Sequence, residues 1–174
     1  MRKEDSFAFE TAMMVYGLEN PISTGMTTCV FEYKKGVQAV TVDKIKIDFM
    51  KKASLPGFNI EMDLEDSFLY SMDKLYSLSK EEESIILEKV SLFKKSVNLN
   101  SLSFSKDSEE YKMILDLFGI ELADGLSFVY SKNKSNKIYL DLHEEQFMKD
   151  SNGKIFCLDA VMDKQIYKEI QATN

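Results

Sequence analysis

Histidine, cysteine and carboxylate are the side chains from which this chain could assemble chemistry, and each occurs in a restricted pattern. The single histidine is His143, in Leu142-His143-Glu144-Glu145. With no second histidine a helical turn away it cannot form a zinc helix. Alone, it offers one general base, or a partner for a cysteine that folding brings near. Cys29 and Cys157 each stand singly in an apolar stretch, so neither a redox CxxC pair nor a metal knuckle is present. Both are expected as buried thiols, with a disulfide between them as the open alternative.

Carboxylates are more numerous. Asp43 and Asp141 occupy matching positions in a suspected internal repeat: Val15-Tyr16-Gly17-Leu18-Glu19 is echoed by Leu117-Phe118-Gly119-Ile120-Glu121, and Phe49-Met50-Lys51 returns as Phe147-Met148-Lys149. Two copies packed about a pseudo-two-fold axis would bring the two acids together, as a cation site or as a like-charged pair with raised pKa values. Otherwise each caps the turn that ends its strand. Asp43, Asp141 and His143 are the candidate catalytic set. Glu61, Asp63, Glu65 and Asp66 alternate with Met62 and Leu64 and read as the wet face of a strand. Asp150-Ser151-Asn152-Gly153 opens like a calcium loop, but its glycine comes too early and no glutamate closes it, so it reads as a turn. No Gly-rich phosphate cradle, GxSxG or GK[ST] occurs. No cofactor and no dedicated metal site is expected.

Composition narrows the partners. The 174 residues carry a formal charge of −7 and are 44% apolar, enough for a core. That charge weighs against an extended nucleic-acid or anionic-membrane footprint. Arg2 is the only arginine among 22 basic residues, so the bidentate fork that grips phosphates and guanine edges is nearly absent. The apolar runs fall far short of the roughly 18 to 20 residues that span a bilayer, and no signal-peptide core follows the charged start. The expectation is a soluble cytoplasmic protein with no membrane and no nucleic-acid partner.

The elements that must position these groups follow from periodicity. Residues 5–16 predict a helix capped by Gly17. Met26 to Tyr33 and Val37 to Phe49 predict two strands about the turn Lys34-Lys35-Gly36, with a bulge near Asp43-Lys44 where the alternation changes parity. Phe58, Ile60, Met62 and Leu64 predict a third strand. Phe68, Met72, Leu75 and Tyr76 fit a helical stripe. Ser79 with Glu82 makes a capping box before the helix 79–97. In the second half, Leu99 to Phe104 reads as a short strand, and Asp107 with Glu110 caps a helix closed by Gly119. Leu126 to Tyr130 and Ile138 to Leu142 read as a hairpin about the basic turn Lys132 to Asn136. Ile155 and Cys157 follow as strand, and 162–172 as helix.

The resulting expectation is an α+β protein of two tandem helix-strand-strand-strand-helix units, 1–97 and 98–174, with small antiparallel sheets. Sparse catalytic vocabulary, acidity, and apolar residues off the main helical stripes point to a non-catalytic binder of another protein, such as a small chaperone, an immunity protein or an inhibitor. Phe7, Met14, Ile85 and Leu92 are the candidate partner-binding residues. Alternatives are a carboxylate- and divalent-cation-dependent enzyme with its site between the lobes, and a structural subunit of a larger assembly.

Overall fold

The computed structural model describes residues 7–25, 27–34 and 36–173, including the side chains of all of these but Phe7 and Thr173. Residues 5 and 6, Met26 and Lys35, assigned above to the first helix, strand and turn, lie outside that set, as does the Phe7 side chain. The chain is an α+β protein with small antiparallel sheets. Helix α1 (Phe7–Tyr16) ends at Gly17, whose φ of +64° is the left-handed cap read from the sequence. Strands β1 (Ser23–Thr24), β2 (Thr28–Tyr33) and β3 (Gly36–Thr41) follow, then α2 (Lys44–Met50), β4 (Asn59–Asp63) and β5 (Phe68–Asp73). The five strands form one sheet in the order β1-β2-β3-β5-β4, every pair antiparallel.

Register decides which residues share a face. Val30, Ala39 and Tyr70 stand in line across β2, β3 and β5, and Val37 lies opposite Met72. Cys29, Val40 and Leu69 line up on the opposite face, where they pack with Phe31 against Ala8 and Ala12 of α1. A Tyr16 Oη to Ser67 Oγ hydrogen bond of 3.0 Å pins the end of that helix.

The other face receives the remainder of the chain: α3 (Lys80–Ser96), α4 (Glu109–Phe118), α5 (Ile120–Lys132), four short strands and α6 (Lys164–Thr173). Strands β6 (Ile138–Leu140) and β9 (Val161–Asp163) pair, as do β7 (Phe147–Lys149) and β8 (Ile155–Cys157). The main core joins Phe49 and Phe68 to Phe93, Phe104, Leu126 and Val161, so it draws on residues from both sides of position 97. Phe104 lies 6.3 Å from Phe93 and 4.8 Å, edge-on, from Tyr130.

Several elements are as expected. The Ser79/Glu82 capping box forms, with Ser79 N–H donating to Glu82 Oε2 at 2.6 Å. The β2–β3 hairpin, β4 and the last helix also stand where the pattern places them. Others differ. The predicted strand 37–49 stops at Thr41, and its change of parity is the start of a helix: residues 45–50 of α2 are all buried, so no amphipathic period marks it. The stripe at 68–76 is β5, a central strand covered on both faces and therefore without alternation. The predicted strand 126–130 belongs to α5, which buries Leu122, Leu126 and Val129 at helical spacing. Residues 99–104 form no strand. Ser108, not Asp107, caps α4, accepting from Tyr111 N–H at 3.2 Å.

The suspected repeat is not reproduced. Gly17 and Gly119 both end helices at positive φ, but Phe49-Met50-Lys51 closes a helix whereas Phe147-Met148-Lys149 is a strand. Element order also differs between the halves.

Gly125 shows how closely the helices approach. A Cβ there would sit 2.7 Å from Phe49 Cε2 and 2.9 Å from Cδ2. Gly125→Ala gains about 1 kcal/mol of helix propensity, yet overpacking against a buried ring costs about 1–3 kcal/mol. The variant is expected to unfold at lower urea than the wild type; an equal or higher midpoint shows that the α2–α5 contact yields.

Candidate functional site

A mainly apolar concavity lies on the sheet face away from α1, with a volume of about 430 Å³. Its floor is the row Val30, Ala39, Tyr70 with Val37 and Met72, placed together by strand register. Met50 of α2 closes one side and Met148 and Leu158 another. A backbone bridge holds that second wall: Tyr76 and Lys149 exchange N–H···O bonds of 2.8 and 2.9 Å, and Lys149 Nζ meets Glu82 Oε2 at 2.7 Å.

Lys46 and Asp159 stand in the cleft wall. Asp43 caps α2 by accepting from Lys46 N–H at 3.1 Å, and this cap aims the first turn so that the Lys46 side chain runs inward. The ammonium is buried and uses its three donors, to Thr27 Oγ1 at 2.9 Å, Thr28 Oγ1 at 3.2 Å and Asp159 Oδ2 at 2.5 Å. The threonines are themselves ordered: Thr28 Oγ1 donates to Thr41 Oγ1, which donates to Thr27 O at 2.7 Å. Asp159 Oδ1 is buried and has no hydrogen-bond partner among the described residues. That oxygen keeps an acceptor capacity that the described residues leave unused.

The predicted catalytic residues fall around this pair but not in the predicted way. Asp43 is fully buried and commits both oxygens to backbone, the second accepting from Asp163 N–H at 2.9 Å. Burial pushes its pKa up, opposed by Lys46 and by the two N–H donors. Burial also raises the pKa of Asp141, with nearby Asp159 adding to the rise and His143 and Lys46 opposing it. Asp141 Oδ2 accepts from Gln146 Nε2 at 3.3 Å. His143 Nε2 lies 2.9 Å from Gln146 Nε2 and 3.8 Å from Asp141 Oδ1. Asp43 and Asp141 thus gather about Lys46 and Asp159, and they do so without the two-fold axis that suggested them. Both cysteines are free and buried, and burial pushes the Cys157 thiol pKa up, which keeps it protonated. Among the described residues no group of three or more His, Cys, Asp and Glu is placed to hold a metal ion.

The predicted partner-binding residues are exposed and dispersed. Met14 on α1 is 80% exposed, while Ile85 and Leu92, 53% and 52% exposed, share the outer face of α3 opposite Ile86, Val90 and Phe93. The Phe7 side chain lies outside the described residues.

Lys46, Asp159 and Tyr70 went unnoticed in the sequence. A lysine inside Ile45-Lys46-Ile47 passes for the wet side of a strand, and its partner lies more than a hundred residues away. The one local signal is a pair of charges, Lys46 and Asp48, within a run that is otherwise apolar.

No protein-family model, curated protein or solved structure matches the chain. Among the described residues no helix is long and apolar enough to cross a membrane.

Lys46→Met removes the counter-charge of a carboxylate that is only 23% exposed. The expected loss is about 2–3 kcal/mol in urea unfolding, below the ~3–5 kcal/mol of a fully buried pair because Asp159 keeps some solvent. Lys46→Met/Asp159→Leu should recover most of it, since apolar replacement of a buried pair is often neutral. A double variant as unstable as the single one shows that the charge pairing is not what the region depends on.

Proposed function

We propose that this protein binds a small, mostly apolar molecule in the cleft over the sheet, with a hydrogen-bond-donating head turned toward Asp159. The observation that carries the reading is one concavity of about 430 Å³ whose floor and walls are largely aliphatic, methionine and tyrosine side chains, with the ordered Lys46–Asp159 pair as its buried polar side and Asp73, Lys74 and Gln146 among its other polar groups. Cavities of this size, mainly apolar with a few fixed polar groups, are the usual form of small-molecule sites. Met50, Met72 and Met148 give the walls adaptability, since an unbranched thioether reshapes around a guest at low cost. The Lys46 donors are spent within the protein, whereas Asp159 Oδ1 has no partner among the described residues, so the unused capacity at this pair is that of an acceptor. A hydroxyl, amide or ammonium head suits it better than a carboxylate. A cytoplasmic setting without nucleic acid fits the net charge of −7.

Calorimetry with 4-phenylbutylamine, 4-phenylbutan-1-ol and 4-phenylbutanoate tests this. The amine and the alcohol are expected to bind saturably and the carboxylate at least about tenfold more weakly, a difference of about 1.4 kcal/mol. Val37→Phe, which narrows the outer floor, should weaken both binders while leaving the unfolding midpoint near that of the wild type. Equal affinity for all three heads, or indifference to Val37→Phe, removes the reading.

A second reading, the protein-binding module anticipated from the sequence, is favoured by the exposed apolar residues Met14, Ile85 and Leu92. Ile85 and Leu92 stand two turns apart on one helix face, as anchors of a helix-in-groove contact do. Affinity capture from native cells should recover one partner near equal amount with the wild type and lose it with Ile85→Ser/Leu92→Ser at unchanged stability. Equal recovery by both proteins excludes this face.

A further inference from the structure

A second cleft, of about 500 Å³, opens between the C-terminal turn of α3, the segment 99–102, β6 and α6. Lys94, Lys164 and Lys168 line it. Among the described residues none of the three has a carboxylate within ion-pair distance, a state they share with other lysines of the chain, so what sets them apart is that they line one cleft. The acid nearest in effect is Asp141, which feels Lys94 at longer range. Lys164 and Lys168 stand four residues apart on one helix face, a like-charge spacing that weakens an isolated helix by a few tenths of a kcal/mol. The acidic and amide groups of the same helix, Gln165 and Glu169, pair with each other at 3.2 Å and border a different hollow. Three uncompensated cations therefore converge on one concavity in a chain whose net charge is −7.

The same cleft contains a flat aromatic surface. The rings of Tyr139 and Tyr167 stack 3.7 Å apart at 11°. Both are half-buried and both line the cleft, so part of the stacked pair remains open to it. Tyr139 stays neutral, its pKa pushed up to about 12, chiefly by its hydrogen bond to Tyr167, and so brings no negative charge to the lysines. Amide side chains, Asn100 and Asn136, lie at the border.

We propose that this cleft is a second binding site, for a small phosphorylated molecule with a planar ring, of the nucleoside phosphate class: Lys94, Lys164 and Lys168 hold the phosphates while the ring lies on the Tyr139–Tyr167 stack. Lysine suits this as a point charge that tracks a phosphate without demanding fork geometry. Stacking of a base on an aromatic side chain contributes sequence-tolerant affinity. The site is independent of the cleft over the sheet, which shares none of these residues.

Fluorescence anisotropy of N-methylanthraniloyl-ADP with the full chain, competed by ADP, adenosine and inorganic pyrophosphate, tests the proposal. Saturable binding displaced by ADP is expected, weakening with added salt as exposed lysine–phosphate contacts do. Lys164→Glu/Lys168→Glu should weaken ADP by at least about tenfold, and the neutral Lys164→Gln/Lys168→Gln by less. Both pairs are exposed, and an unchanged unfolding midpoint shows that the fold persists. Tyr167→Ala should weaken ADP and leave pyrophosphate unaffected. Absence of saturable binding at about 1 mM ADP, or equal affinity in the charge-reversed variant, overturns the site. Pyrophosphate binding as well as ADP, with no effect of Tyr167→Ala, overturns the planar-ring assignment. Because Val37→Phe is expected to leave ADP binding unchanged, failure here and failure of the sheet cleft are read separately.

Discussion

An ammonium group taken out of water needs three acceptors and a counter-charge, and in this protein Lys46 finds them on parts of the chain far apart in sequence. Two are threonines at the entrance to β2, and the third is a carboxylate 113 residues further on. The helix that carries Lys46 has seven residues, too few to persist alone. Its position is fixed from outside: by the Asp43 cap, which reaches across to the amide of Asp163, and by a second buried charge, Asp48, which Lys132 of α5 meets at 2.9 Å. Helix α2 is thus the element through which the sheet and the later helices are held in one arrangement. Hydrophobic burial stabilises the contact. The charges select which contact it is, because any other register would strand a buried ion.

This constraint has a consequence for binding. With Lys46 and Asp43 committed to structure, what the buried charges leave to the sheet cleft is one carboxylate oxygen with unused acceptor capacity, beside aliphatic and methionine walls. In the second cleft the arrangement is inverted, with cations outside ion-pair distance of a carboxylate beside a flat aromatic pair. A net charge describes neither surface. What a ligand meets is the local field, and α6 alone carries a lysine edge and an acidic edge on different sides of one helix.

The elements that were legible in the sequence are those whose signal is local. The capping box at Ser79 and Glu82, the left-handed glycines at 17 and 119, the alternation of Phe58 to Leu64 and the Lys34–Gly36 turn each depend on groups a few residues apart. Three of the misread elements share a different property: each is buried on more than one side. Helix α2 has no wet face, β5 is covered above and below, and α5 interrupts its pattern with Gly125 where the chain must approach Phe49. Burial on all sides erases the periodicity from which an element is read. The Phe-Met-Lys coincidence shows the same limit, since three identical residues end a helix in one place and form a strand in another.

By itself, then, the sequence determined the class: an α+β chain with a core, no glycine-rich phosphate cradle and an acidic balance. It also placed Asp43 and Asp141 among the residues to watch, though for a symmetry the fold does not have. Only the tertiary structure decided that these acids surround Lys46 and Asp159, that Val30, Ala39 and Tyr70 share a floor, and that three lysines meet beside two stacked tyrosines. Such groupings depend on strand register and long-range charge pairing, and neither leaves a trace in the spacing of neighbouring residues.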